Sequence, residues 1–306
     1  MNQVPAEQRT LAATQIRWNQ LKLDLTGSFN VITKAPRHLI LEEQLRPFLE
    51  IRWQPSTTGN QARHSSRILK DFEREIDRKL QLLPVDSLPE KLRSNYQVQA
   101  FNWDGSPVAQ VLLLTCSRCQ THILLRCYRD SFERLCRNPP ILEGLRCHLL
   151  PGEGDWWHIA DVSIMIPEGF VLESCSFRFG LSDLRFKHRA TDLHLCRLAP
   201  ASTHLKQHDI GTLFESFALA PLEEQQVVDA HTRCYRCSPK IGRRLLGRLR
   251  KRKGYCTASF KHYPRQDRII GYSLRSSSPI DQTIETVLQE SYGIIEEEKG
   301  STDTNP

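Results

Sequence analysis

The strongest constraint in this sequence is a near-constant offset between its two halves. The alternating stretch Glu50-Ile51-Arg52-Trp53 falls on His194-Leu195-Cys196-Arg197, and Leu124-Leu125-Arg126 falls on Ile269-Ile270-Gly271. The separations are 144 and 145 residues, and Trp18 and Trp157 open the two halves. With 306 residues in all, such an offset implies two tandem units, each of ordinary domain size. The expected division is a polar lead over 1–15, a first unit over 16–150 and a linker over 151–156. A second unit follows over 157–294, carrying a basic insertion at 240–253, and then an acid-rich disordered tail over 295–306.

Within each half the pattern reads β-β-β-α-β-β-β-α. Leu21, Leu23 and Leu25 alternate with polar residues as in a half-buried strand. Ile68, Phe72, Ile76 and Leu80 recur at helical spacing, which predicts a helix lying on a sheet. In the second half, residues 159–166 stop at the Pro167-Glu168-Gly169 turn; a second strand is carried by Phe170, Leu172, Phe177 and Phe179 and a third by Leu193 and Leu195, followed by a helix. Ser278-Pro279 reads as an N-cap followed by proline at the first helical position. Strands joined by short turns imply antiparallel pairing. The expected fold class is therefore α+β: two repeated α/β sandwich units, each an antiparallel sheet covered by two helices.

The segment Ile164-Met165-Ile166-Pro167-Glu168-Gly169-Phe170, with the two strands and the helix after it, resembles the PsbP-like superfamily. The resemblance covers the second half well and the first half poorly, where Thr26-Gly27-Ser28-Phe29 stands in place of the Pro-Glu-Gly turn. It implies tandem α/β/α sandwiches and a binding or assembly role rather than catalysis. It transfers no functional residue.

The N-terminal sequence lacks the apolar core of a signal peptide, and the apolar run at 111–114 is far too short to span a bilayer. The expectation is a cytoplasmic protein without a transmembrane segment. Its ten cysteines are scattered rather than set in a disulfide framework, so most are expected to be buried free thiols.

Catalytic signatures are absent: there is no Gly-x-Ser-x-Gly, His-Glu-x-x-His or phosphate loop. That points away from an enzyme. Two Cys-x-x-Cys pairs, Cys116/Cys119 and Cys234/Cys237, together offer four thiolates for zinc, the one cofactor considered. His122 follows the first pair by three residues. Strand residues three apart face opposite sides of a sheet, so the competing reading is buried thiols. His204 and His208 share one helical face but have no third ligand in the sequence and read as solvated.

Charge is concentrated in one place. Lys240, Arg243, Arg244, Arg248, Arg250, Lys251, Arg252 and Lys253 place eight cations in a stretch without an acid, against a net charge of +7 for the whole chain. Tyr255 lies beside this stretch and could stack on a base, while Ile241, Leu245, Leu246 and Leu249 give it an apolar stripe suited equally to docking or to a membrane surface. The leading expectation is a non-enzymatic binding or assembly protein that engages an acidic macromolecule, protein or nucleic acid. The alternatives are nucleic-acid binding through 240–253 and zinc binding through the cysteine pairs.

Overall fold

Hairpins and meanders dominate the computed structural model, which describes residues 13–56, 61–84, 88, 90–105, 108, 110–128, 131–137, 142, 144–150, 153–159, 161–239 and 254–295. The chain divides into two units, Met1–Glu153 and Gly154–Pro306.

In the first unit β1 (Ala13–Trp18) and β2 (Leu21–Thr26) form a separate hairpin. Then come β3 (Asn30–Ala35), β4 (His38–Glu43) and β5 (Arg46–Gln54), a three-strand meander. Helix α1 (Gln61–Ile76) carries the chain across to β6 (Gln81–Leu83) at the far edge. From there α2 (Glu90–Asn95), β7 (Tyr96–Asn102), β8 (Val111–Cys116) and β9 (His122–Cys127) lead back, and α3 (Ser131–Arg137) follows. The result is a seven-stranded antiparallel sheet of order β3-β4-β5-β9-β8-β7-β6.

The two faces of this sheet are covered differently. Phe72 of α1 is buried with Phe101, Val111, Leu113 and Leu124, and Ile68 and Ile76 pack beside it. Burying a side chain of that size stabilises by roughly 1.5–3 kcal/mol. Alternation along the strands sends Leu49, Ile51 and Trp53 to the other face, all of them buried. There the Trp53 indole donates to the carbonyl of Asn19 at 3.2 Å, and the Trp18 indole donates to the carbonyl of Pro36 at 3.0 Å. The β1–β2 hairpin is thus the layer on that face.

The second unit uses the same strand order. A hairpin of β10 (Asp155–Ile159) and β11 (Val162–Ile166) precedes β12 (Val171–Arg178), β13 (Leu181–His188) and β14 (Thr191–Leu198). Helices α4 (Ala201–Leu205) and α5 (Ile210–Ala218) lead to β15 (Gln226–Val227) at the far edge. Then β16 (Thr232–Cys237), β17 (Tyr255–Tyr263) and β18 (Arg268–Ser276) complete a sheet of order β12-β13-β14-β18-β17-β16-β15. Helix α6 (Gln282–Ser291) and β19 (Gly293–Ile294) end the unit, with β19 pairing β11.

This architecture corrects the expected α/β sandwiches. Among the described residues the molecule is mainly β, with four antiparallel sheets, and its units are not sheets each covered by two helices. The physical reason is in the turns. Asn19 and Gln20 take φ of 47° and 69°, the left-handed pair that a two-residue hairpin turn requires. The strand of Leu21, Leu23 and Leu25 is therefore the second arm of a hairpin that begins at Ala13, and this hairpin takes the place of a second helix. The last helix begins later than Ser278, because Asp281 is its cap and accepts from the Thr283 amide at 2.8 Å. Residues 240–253 and the tail beyond 295 lie outside the described residues.

Candidate metal centre

The tip of the β8–β9 hairpin is built by its backbone. The Cys116 amide donates to the Thr121 carbonyl at 2.9 Å and the Gln120 amide donates to the Cys116 carbonyl at 3.1 Å. Gln120 takes φ of 60° to turn the chain back. Cys116 is the last residue of β8 and Cys119 lies in the turn, so strand alternation no longer separates them. Val111 and Leu113 face α1, so Cys116 projects from the opposite face, the side of the β1–β2 hairpin.

A second segment arrives on that same face. Arg146 pairs with Lys22 of β2 through two backbone hydrogen bonds of 2.8 and 2.9 Å. The buried Tyr96 hydroxyl donates to the Leu145 carbonyl at 2.9 Å. Tyr96 also stands directly opposite Cys116 in the sheet register. These contacts deliver Cys147 and His148 to the hairpin tip.

Four donor atoms converge there: the sulfurs of Cys116, Cys119 and Cys147, and a ring nitrogen of His148, all within 4.8 Å of one another. Cys119 and Cys147 sulfurs are 3.5 Å apart. Nδ1 of His148 lies 3.6 Å from the Cys116 sulfur and 3.9 Å from that of Cys147. A tetrahedral zinc with Zn–S of about 2.3 Å and Zn–N of about 2.0–2.1 Å has S···S edges of about 3.8 Å and S···N edges of about 3.6 Å. The donor set and its spacing therefore fit a Cys₃His site. Cys116 and Cys147 are buried, and Cys119 lies on the solvent side. The contact with the Cys147 sulfur holds Cys119 below the ordinary thiol value, while the same contact and burial push Cys147 up. One thiol of the pair is thus poised to ionise, as a metal ligand must.

Beside the group opens a cleft of about 160 Å³, whose lining includes Asn95, Ser117, Arg118, Arg146 and His148. Arg146 there meets Glu153 at 3.8 Å.

The other candidates fall elsewhere. His122 points to the α1 face, with Nδ1 2.9 Å from the Thr115 hydroxyl, and takes no part in the thiol group. Cys234 and Cys237 lie within β16, where alternation turns them apart. Cys234 reaches Ser259 across the ladder at 3.6 Å, and Cys237 packs against the core cluster containing Phe214 and Tyr235. The structure thus groups Cys116 and Cys119 with Cys147 and His148, and not with the second pair. His204 lies 3.3 Å from the Gly180 carbonyl and, among the described residues, neither it nor His208 belongs to a cluster of metal-ligating side chains. Tyr255 opens β17 opposite Ser276. The cations from Lys240 to Lys253 lie outside the described residues.

No family model matches the chain, and no curated protein matches it. Two solved structures are similar over 90% of this chain at 12% identity: MucB in complex with MucA(peri), with 82% of that chain covered and a TM-score of 0.23, and the MucA/MucB complex of Pseudomonas aeruginosa, with 83% covered and a TM-score of 0.22. Likeness at that level carries no argument about fold or function. No described helix is long and apolar enough to cross a membrane.

Proposed function

We propose that this chain is a non-enzymatic binding protein whose first unit is pinned by a structural zinc ion held by Cys116, Cys119, Cys147 and His148. The convergence of these four donors at tetrahedral spacing supports the reading. Four protein ligands fill the coordination shell and leave no position for water or substrate, which separates a structural from a catalytic site. The ion would tie the 145–148 segment to the hairpin tip and so shape the neighbouring cleft. Arg118 and Arg146 there suit a carboxylate of an acidic protein partner. Thiolate ligation belongs to a reducing compartment, in keeping with a cytoplasmic location.

Elemental analysis of the purified full chain checks the metal. The expected result is about one zinc per chain, removed by a strong chelator with loss of folded structure in the first unit. A metal-free chain that stays folded and takes up no added zinc would refute it.

The run of eight cations over 240–253 favours a second reading, nucleic-acid binding. On that reading, fluorescence anisotropy with a labelled oligonucleotide shows affinity falling steeply with salt. A variant with glutamine at Arg248, Arg250, Lys251, Arg252 and Lys253 loses that binding. Salt-insensitive binding, or none, counts against it.

A further inference from the structure

We propose that Cys119 and Cys147 are a peroxide-modification site: oxidation joins them in a disulfide and expels the zinc. The release half rests on the proposed zinc site, whereas the covalent half rests on the thiols alone.

The geometry singles out this pair. Their sulfurs lie 3.5 Å apart, and a disulfide needs about 2.0 Å. The approach of about 1.5 Å between these two distances falls to the Cys119 side, where Ser117, Arg118 and Cys119 form an exposed turn. Cys147 is held from both directions, by the Arg146–Lys22 bridge before it and by burial at 3% exposure. One thiol thus meets the solvent-borne oxidant, and the other waits behind it, shielded and fixed. Cys116 is also buried, at the end of a strand, so it is not the accessible thiol.

The chemistry balances without a further co-reactant. The Cys119 thiolate attacks one oxygen of hydrogen peroxide and the O–O bond breaks. This gives a sulfenic acid on Cys119 and one hydroxide. The Cys147 sulfur, giving up its zinc bond or, in the stripped chain, its proton, then attacks the Cys119 sulfur and the S–O bond breaks, forming the disulfide and releasing a second hydroxide. Two thiolates lose two electrons, peroxide gains two, and solvent protons convert both hydroxides to water. With two of four donors consumed, Cys116 and His148 alone do not complete a zinc shell. Thiol reductant reverses the bond by exchange and restores the site.

The test treats the zinc-loaded full chain, and in parallel the chelator-stripped chain, with hydrogen peroxide. Released zinc is read with a chromogenic chelator, and linked peptides are mapped by mass spectrometry. The expected result is one zinc released per Cys119–Cys147 linkage, reversed by dithiothreitol, with the same linkage in the stripped chain. If the purified chain proves zinc-free but the linkage forms, the zinc reading fails and the modification site stands. If zinc is present and peroxide leaves it bound, or releases it through a Cys116 linkage or through sulfinic acids, the proposal is overturned while the zinc reading survives.

Discussion

Replacing Cys147 by serine is expected to abolish zinc retention and to lower the melting temperature of the first unit by about 8–16 °C. The reasoning starts from the free energy of a structural zinc site, about 10–16 kcal/mol in small zinc-binding peptides, which is folding free energy wherever the site is not preformed. Here most of the unit is held by its own sheet and core, so only part of that sum is at stake. A loss of about 4 kcal/mol corresponds to the stated shift for a unit near 150 residues. Cys147 is the choice because it is buried and its segment meets the sheet through few contacts, chiefly Arg146 with Lys22 and Leu145 with Tyr96. Cys175→Ser, outside the cluster and only partly buried, is the control and is expected to change little. Calorimetry and elemental analysis read both quantities. Equal zinc content and an unchanged melting temperature in Cys147→Ser would refute the metal assignment.

Glu50→Ala is expected to cost the first unit about 3 kcal/mol at neutral pH. Glu50 is 3% exposed on the α1 face of β5. Its carboxylate accepts from Arg52 at 2.7 Å and from the Tyr128 hydroxyl at 2.9 Å, and meets His38 Nε2 at 2.8 Å. Removing one partner of a buried ion pair typically costs 3–5 kcal/mol, about the lower end applying here because Arg52 and Arg126 keep roughly a quarter of their surface in water. Glu75, which also binds Arg52 but is 46% exposed, should cost less than about 1 kcal/mol when replaced by alanine. The pH dependence has a definite sign. Burial raises the Glu50 carboxyl, but hydrogen bonds and charge from Arg52, with the Tyr128 bond, outweigh it and hold the group below its ordinary value. A depressed carboxyl stabilises fully above its unfolded value, about 4.3, and that contribution is lost as pH falls through the folded value. The stability gap between wild type and Glu50→Ala should therefore close below about pH 4. Urea unfolding at a series of pH values measures it, and a gap under about 1 kcal/mol at pH 7 would show that the network contributes little.

Sequence pattern and structure agree where one face of an element decides its fate. The stripe Ile68, Phe72 and Ile76 marks a helix against a sheet, because burying that stripe is what stabilises the helix. The layering could not be read, since it turns on Asn19 and Gln20 adopting a left-handed turn without glycine. Asn19 is a residue that favours that conformation, but Gln20 gives no such signal. At the metal centre, Cys116 and Cys119 are visible as a spaced pair, but alternation argues against them until the turn at Gln120 is known. Cys147 and His148 carry only a faint signal, an adjacent Cys-His pair 28 residues after Cys119. Their part depends on the Arg146–Lys22 bridge, which no local pattern encodes.

The order of the first sheet also sets a schedule for synthesis. Its central strand is β9, the last of the seven in chain order, and β5 pairs with it on its inner side, so that Ile51 stands opposite Leu125. A chain emerging from the ribosome can close β3, β4 and β5 early, but that meander then keeps an unpaired edge until residue 127 is free. Cys147 and His148 emerge later still. An ion held at the hairpin tip would be captured only by a chain that has already finished its sheet, so zinc uptake would mark complete nascent units from truncated ones.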